Sequence, residues 1–86
     1  MASFRLEWRA AAAKELRKID RKVIPRIAAA VERLADEPHP PGSKKLQGTE
    51  SIYRIRVGDY RIVYEVNAAE VVIIIVRVRH RKNVYR

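Results

Sequence analysis

Arg54, Arg56 and Arg61 flank a Gly58-Asp59 pair inside an alternating apolar stretch, Ile52-Tyr53-Arg54-Ile55-Arg56-Val57-Gly58-Asp59-Tyr60-Arg61-Ile62-Val63-Tyr64-Glu65-Val66-Asn67. A two-residue loop at Gly58-Asp59 places Val57 opposite Tyr60. Arg56 then faces Arg61 directly, with Arg54 one step along on the same face. Like charges facing each other across strands destabilise a sheet, so a purely structural role does not account for them. They suit a polyanion, most simply RNA. Arginine forks bind phosphate oxygens bidentately and keep their charge at physiological pH. Three or four of them around one phosphodiester would stabilise the dianionic phosphorane formed when a ribose 2′-hydroxyl attacks phosphorus.

The end of the chain extends the set with Arg77, Arg79, His80, Arg81, Lys82 and Tyr85. Phosphodiester cleavage also needs a proton acceptor and a donor, and arginine is a poor acceptor. His80 and Tyr85 are the nearby titratable groups of suitable type. No carboxylate cluster has metal-ligand spacing, and there is no cysteine, so neither a metal-dependent nuclease nor a thiolate metal site is expected. Serine and cysteine nucleophile arrangements are lacking, and no small-molecule cofactor is expected. A single arginine on a sheet face is commonly just solvated, and His80 or Tyr85 alone could be a strand-end or packing residue. The concentration of arginines on one face is what points to a site. Lys44 and Lys45 read either as ordinary loop lysines or as phosphate contacts outside the reacting centre. With Arg77, Arg79 and Lys82 they form the expected RNA-binding set. His39, between prolines, is a loop residue without an evident partner.

The elements that must hold these residues follow from periodicity. Phe4, Leu6 and Trp8 alternate with Arg5, Glu7 and Arg9 as a short first strand. Ala10 to Ile19 is rich in helix formers and turns Leu16 and Ile19 inward. After a break near Asp20, the residues Ile24, Ile27, Ala28, Val31, Leu34 and Ala35 make an apolar helical stripe. Pro25 is tolerable only in a first turn, so this helix starts near residues 21–24. It ends before Glu37-Pro38-His39-Pro40-Pro41-Gly42-Ser43. A last strand from about Val71 to Arg79 has a continuous aliphatic run, which predicts a central place in the sheet. A two-residue loop at Ala68-Ala69 would turn Arg77 into the apolar face. A three-residue loop, Asn67 to Ala69, sends Arg77 and Arg79 to the face of Arg54, Arg56 and Arg61 instead. Burying unpaired guanidinium groups costs several kcal/mol, so the odd loop is expected. The expected fold is a single α+β domain over 1–86, ordered β-α-α-β-β-β. Its antiparallel sheet carries a two-helix hairpin on one face. Phe4, Leu6, Trp8, Leu16, Ile19, Ile27, Val31, Leu34, Tyr53, Ile55, Ile62 and Tyr64 are the expected core.

Composition agrees with a polyanionic partner. The formal net charge is +9, and residues 44–86 hold ten Lys/Arg against four Asp/Glu. A membrane surface would call for a basic amphipathic helix, whereas the basic half here is strand-like. The start of the chain lacks an apolar signal core, and the aliphatic run Val71 to Val76 is too short to span a bilayer, so a cytoplasmic location is expected.

Three segments carry a family resemblance: Pro-His-Pro-Pro-Gly-Ser-Lys-Lys-Leu-Gln-Gly (38–48), Tyr-Arg-Ile-Arg-Val-Gly-Asp-Tyr-Arg-Ile-Val-Tyr-Glu-Val (53–66) and Val-Arg-His-Arg-Lys-Asn-Val-Tyr (78–85). Together they resemble the RelE toxins of the RelE/ParE toxin–antitoxin superfamily, over essentially the whole chain. The resemblance implies a RelE-like fold and a metal-independent mRNA endoribonuclease that cuts mRNA in the ribosomal A site. It also implies partnership with the ribosome, mRNA and a cognate antitoxin. The family's functional positions fall on Arg54, Arg56, Arg61, Arg81 and Tyr85. Some members carry lysine, a candidate general base, where this chain has Arg54 and Arg56. That leaves the base open between Tyr85 and His80. The ParE branch, which binds and inhibits DNA gyrase without catalysis, is the alternative. The dense arginine face and Tyr85 beyond His80 favour RelE.

Overall fold

The computed structural model describes residues 3–83. Strand β1 (Arg5–Trp8) leads into α1 (Ala10–Arg17) and α2 (Ile24–Asp36), followed by β2 (Lys44–Lys45), β3 (Ile52–Val57), β4 (Tyr60–Asn67) and β5 (Val72–His80), and a short 3-10 turn at Arg81–Asn83. Four alanines favour α1, and Lys14 and Arg17 in its last turn complement the helix dipole. The break after α1 is a turn built on Asp20, whose carboxylate accepts the Lys22 N–H at 2.9 Å and whose carbonyl accepts that of Val23 at 2.9 Å. Pro25 lies in the first turn of α2, where its missing N–H costs nothing.

The strands form one sheet in the order β1-β5-β4-β3-β2. The last three strands are the expected antiparallel meander, and β5 lies inside the sheet. Two features differ from the expected all-antiparallel arrangement. β1 runs parallel to β5, Arg5 to Trp8 pairing with Val72 to Ile75. The connection between these strands is long and holds both helices, so no tight turn dictates their sense. Second, Lys44 and Lys45, expected in a loop, form a fifth strand against β3.

The route from β4 to β5 also differs. Asn67 pairs with Val72 across an even, four-residue loop. The alternation is corrected further on, by a β-bulge at Val76 between the pairs Tyr64–Ile75 and Val63–Arg77. Before the bulge Ile73 and Ile75 point to the helices; after it Val78 does, and all three are buried. Without the extra residue Arg77 and Arg79 would continue the inward series. The bulge therefore achieves what was expected of an odd loop.

The core forms on one face of the sheet, where Ile27, Val31 and Leu34 of α2 and Ala12 of α1 meet Ile55, Ile62, Tyr64, Ile73, Ile75 and Val78. Phe4, Leu6, Trp8, Leu16, Ile19 and Tyr53 pack around it, half-buried. No helix among the described residues is long and apolar enough to cross a membrane.

Candidate active site

The hairpin register is the expected one: Val57 opposes Tyr60, Arg56 opposes Arg61 and Ile55 opposes Ile62. Strand alternation then puts Arg54, Arg56 and Arg61 on the face away from the helices. The edge strand β2 completes the row, because Lys44 pairs with Arg54 and shares its face. Lys45 pairs with Tyr53 and points to the other side. Gly42, Lys44, Arg54, Ile55, Arg56 and Arg61 line an open cleft of about 270 Å³. Apart from Gly42 and Ile55, every lining side chain is cationic. Such a concave basic wall concentrates positive potential where a phosphate would sit.

The loop that delivers Lys44 is held from beneath. The Tyr64 hydroxyl donates to the Pro38 carbonyl at 2.7 Å. The His39 ring lies 4.6 Å from that of Tyr53, which in turn stacks on Tyr64 at 6.0 Å. His39 thus has an aromatic partner that its loop position did not reveal. Burial pushes the Tyr64 hydroxyl up from 10.0 to about 12, against an opposing hydrogen bond with Ser43. Gly42 bends the loop with φ of 91°, a conformation that side chains with a Cβ disfavour.

The remaining sequence candidates have other neighbours. α1 continues from β1 along the edge of β5 that β1 leaves open. There Glu15 Oε1 accepts the Val78 N–H at 2.8 Å. The other oxygen of Glu15 lies 3.2 Å from Arg77 Nη1 and 2.9 Å from Arg79 Nε. The Arg79 Nε contact is an ion pair without hydrogen-bond alignment. Arg77 and Arg79 are therefore held at the sheet edge rather than in the cleft. Glu15 was not among the sequence candidates. Its one local signal is that it is the sole acidic residue of α1.

His80 lies opposite Tyr60 on the helix side, with the two rings edge to face at 5.2 Å. Its Nδ1 accepts the Lys82 N–H at 3.2 Å. The structure does not bring His80 to the arginine cleft. Arg81 stands at the hairpin tip, where its N–H donates to the Asp59 carbonyl at 2.7 Å and its Nε lies 3.8 Å from the Asp59 carboxylate. Lys82 is exposed beside it. Tyr85 lies outside the described residues.

Both the sequence and the β-α-α-β-β-β-β fold have counterparts among known proteins. Residues 6–85 match the family model of the ParE toxin of type II toxin–antitoxin systems. The chain is 34% identical over 86 residues to a RelE-like toxin protein of Escherichia coli, covering 95% of this chain and 90% of the relative. The chain belongs to the RelE/ParE superfamily of toxins and is of RelE type. In three dimensions this toxin is similar to a chain in the archaeal RelE–RelB complex from Pyrococcus horikoshii OT3. The TM-score there is 0.83 at 30% identity, covering 94% of this chain and 98% of that one. It is also similar to the isolated E. coli RelE toxin, with TM-score 0.80, 30% identity, and coverage of 98% and 92%. The α+β fold of this toxin is thus RelE-like.

Proposed function

We propose that this toxin is a ribosome-dependent, metal-independent mRNA endoribonuclease that stops translation by cutting mRNA in the A site. The observation that supports this reading is the convergence of Lys44, Arg54, Arg56 and Arg61 on one cleft. Arg54 and Arg56 would grip the phosphate that is cut, and Arg61 and Arg81 would stabilise its extra charge in the transition state. Tyr85 is proposed as a proton-transfer residue. Lys45, Lys82 and the general positive charge would supply the diffuse attraction to ribosomal RNA. The setting is cytoplasmic, where ribosomes are.

The RelE–RelB complex of P. horikoshii supports a cognate antitoxin as the natural partner. An acidic segment that folds on this basic domain would neutralise it by covering or distorting the cleft.

Adding purified toxin to ribosomes programmed with a defined mRNA and mapping the new RNA ends tests the reading. Cuts confined to the A-site codon are expected, unaffected by chelators that remove transition metals and leave the magnesium of the ribosome in place. The ParE description of the family model favours a second reading, inhibition of DNA gyrase by binding. Intact mRNA together with blocked supercoiling by gyrase would replace the first reading with the second.

A further inference from the structure

Cleavage by an internal 2′-hydroxyl makes two demands on protons: the 2′-oxygen must lose one and the departing 5′-oxygen must gain one. Arginine guanidinium groups stabilise charge but do not exchange protons at physiological pH. Arg54, Arg56 and Arg61 therefore meet neither demand. His80 is turned to Tyr60 on the other side of the sheet. Among the described residues lining the cleft, Lys44 is the one whose side chain can transfer a proton.

Its placement is a consequence of tertiary structure. The two-residue strand β2 pairs Lys44 with Arg54, which turns it toward the row of arginines and its neighbour Lys45 away. Lys44 is exposed, and among the described residues no carboxylate pairs with its ammonium group. A lysine ammonium has protons to donate and no lone pair to accept one, so it suits the donor's part.

We propose that Lys44 is the general acid of the cleft. The inference rests on the nuclease reading and deepens it. The 2′-oxygen attacks phosphorus and forms the O2′–P bond while its proton passes through the proton-transfer residue proposed above to water. The P–O5′ bond breaks, its electron pair goes to O5′, and O5′ takes a proton from Lys44 Nζ. The products are a 2′,3′-cyclic phosphate and a 5′-hydroxyl. The neutral amine then regains a proton from water, so the cycle closes without another reactant.

The decisive measurement compares two synthetic mRNAs on programmed ribosomes. One has an ordinary linkage at the A-site cleavage position; the other has sulfur in place of O5′. A thiolate leaves without being protonated, so its departure needs no general acid. Lys44→Arg keeps the charge and removes the transferable proton. This variant should cut the ordinary linkage about 10²-fold or more slowly than wild type, within the usual range for general acid catalysis. On the sulfur linkage it should stay within about threefold of wild type, which also shows that the variant is folded and docks. Lys44→Ala should show the same contrast between linkages, with a higher KM on both. An equal loss on both linkages for Lys44→Arg would overturn the proposal, since Lys44 would then only position the phosphate. A wild-type rate on the ordinary linkage would overturn it too. If wild-type toxin cuts neither mRNA, the nuclease reading itself fails and this inference falls with it.

Discussion

Arg54 and Arg56 meet no carboxylate among the described residues, whereas Arg77 and Arg79 share Glu15 at 3.2 and 2.9 Å. All four project from the same face of the same sheet. Their settings differ because β3 borders an open cleft while the far half of β5 is flanked by α1. A guanidinium held by a carboxylate contributes little net field and must give up that contact to grip a phosphate. A basic sheet face is thus not uniform: it divides into cations that line the cleft and cations engaged in holding an edge.

The largest test of that division is kinetic. Arg61→Ala should lower single-turnover cleavage on saturating ribosomes by about 10²–10³-fold. Arg81, whose contact with Asp59 is loose at 3.8 Å, should behave the same way when replaced by alanine. Arg77→Ala should cost less than about threefold, because an exposed cation that shares a carboxylate away from the cleft adds little. Equal losses at Arg61 and Arg77 would erase the distinction.

Alkali offers a second test, directed at the loop beneath the cleft. Folding holds the Tyr64 proton up to about pH 12, while the unfolded chain releases it near 10. Between these values the unfolded state binds fewer protons, so stability is full below pH 10 and falls as pH rises toward 12, by up to about 2–3 kcal/mol. Denaturant titrations should show this loss in wild type. In Tyr64→Phe the same pH range should be flatter, although this variant starts lower at neutral pH without the hydrogen bond to Pro38.

Glu15 tests the other side of the comparison. Glu15→Ala deprives the Val78 N–H of its acceptor and leaves two guanidinium groups without their carboxylate, which should destabilise the fold by about 1–2 kcal/mol. Glu15→Gln keeps an acceptor for Val78 and should cost less. Thermal melts of the two variants would show whether the hydrogen bond or the ion pairs carry the edge; equal melting temperatures would assign the effect to charge.

The smallest effect is expected at Val71, in the loop just before β5. This β-branched residue has φ of 55°, a left-handed conformation. Val71→Gly should raise stability by about 0.5–1 kcal/mol, the relief of strain outweighing the extra freedom of the unfolded chain. Unfolding curves would register it, and the cleavage rate should be unchanged.

Local rules account for the part of the site that lies in one hairpin. Period-two alternation and Gly58-Asp59 are enough to bring Arg56 opposite Arg61 and to keep Arg54 with them, because a two-residue loop leaves no other register. The stripe Ile27, Val31 and Leu34 likewise needs only helical periodicity to become a core face. The other half of the site was not legible, since each contact joins residues far apart in the chain or depends on a choice between near-equal local options. Lys44 gains its place in the cleft from pairing with Arg54, and nothing in Ser43-Lys44-Lys45-Leu46 announces an edge strand. The parallel course of β1 beside β5 depends on how two helices fill the space between them. The bulge at Val76 resolves a conflict between a buried aliphatic run and two arginines, which an odd loop could have resolved equally well. That bulge also turns His80 to the helix side and leaves the Val78 N–H at an open edge, where Glu15, 63 residues earlier in the chain, accepts it. Alternation along a strand is a local property, but the partner that meets each face is decided only when the whole chain packs.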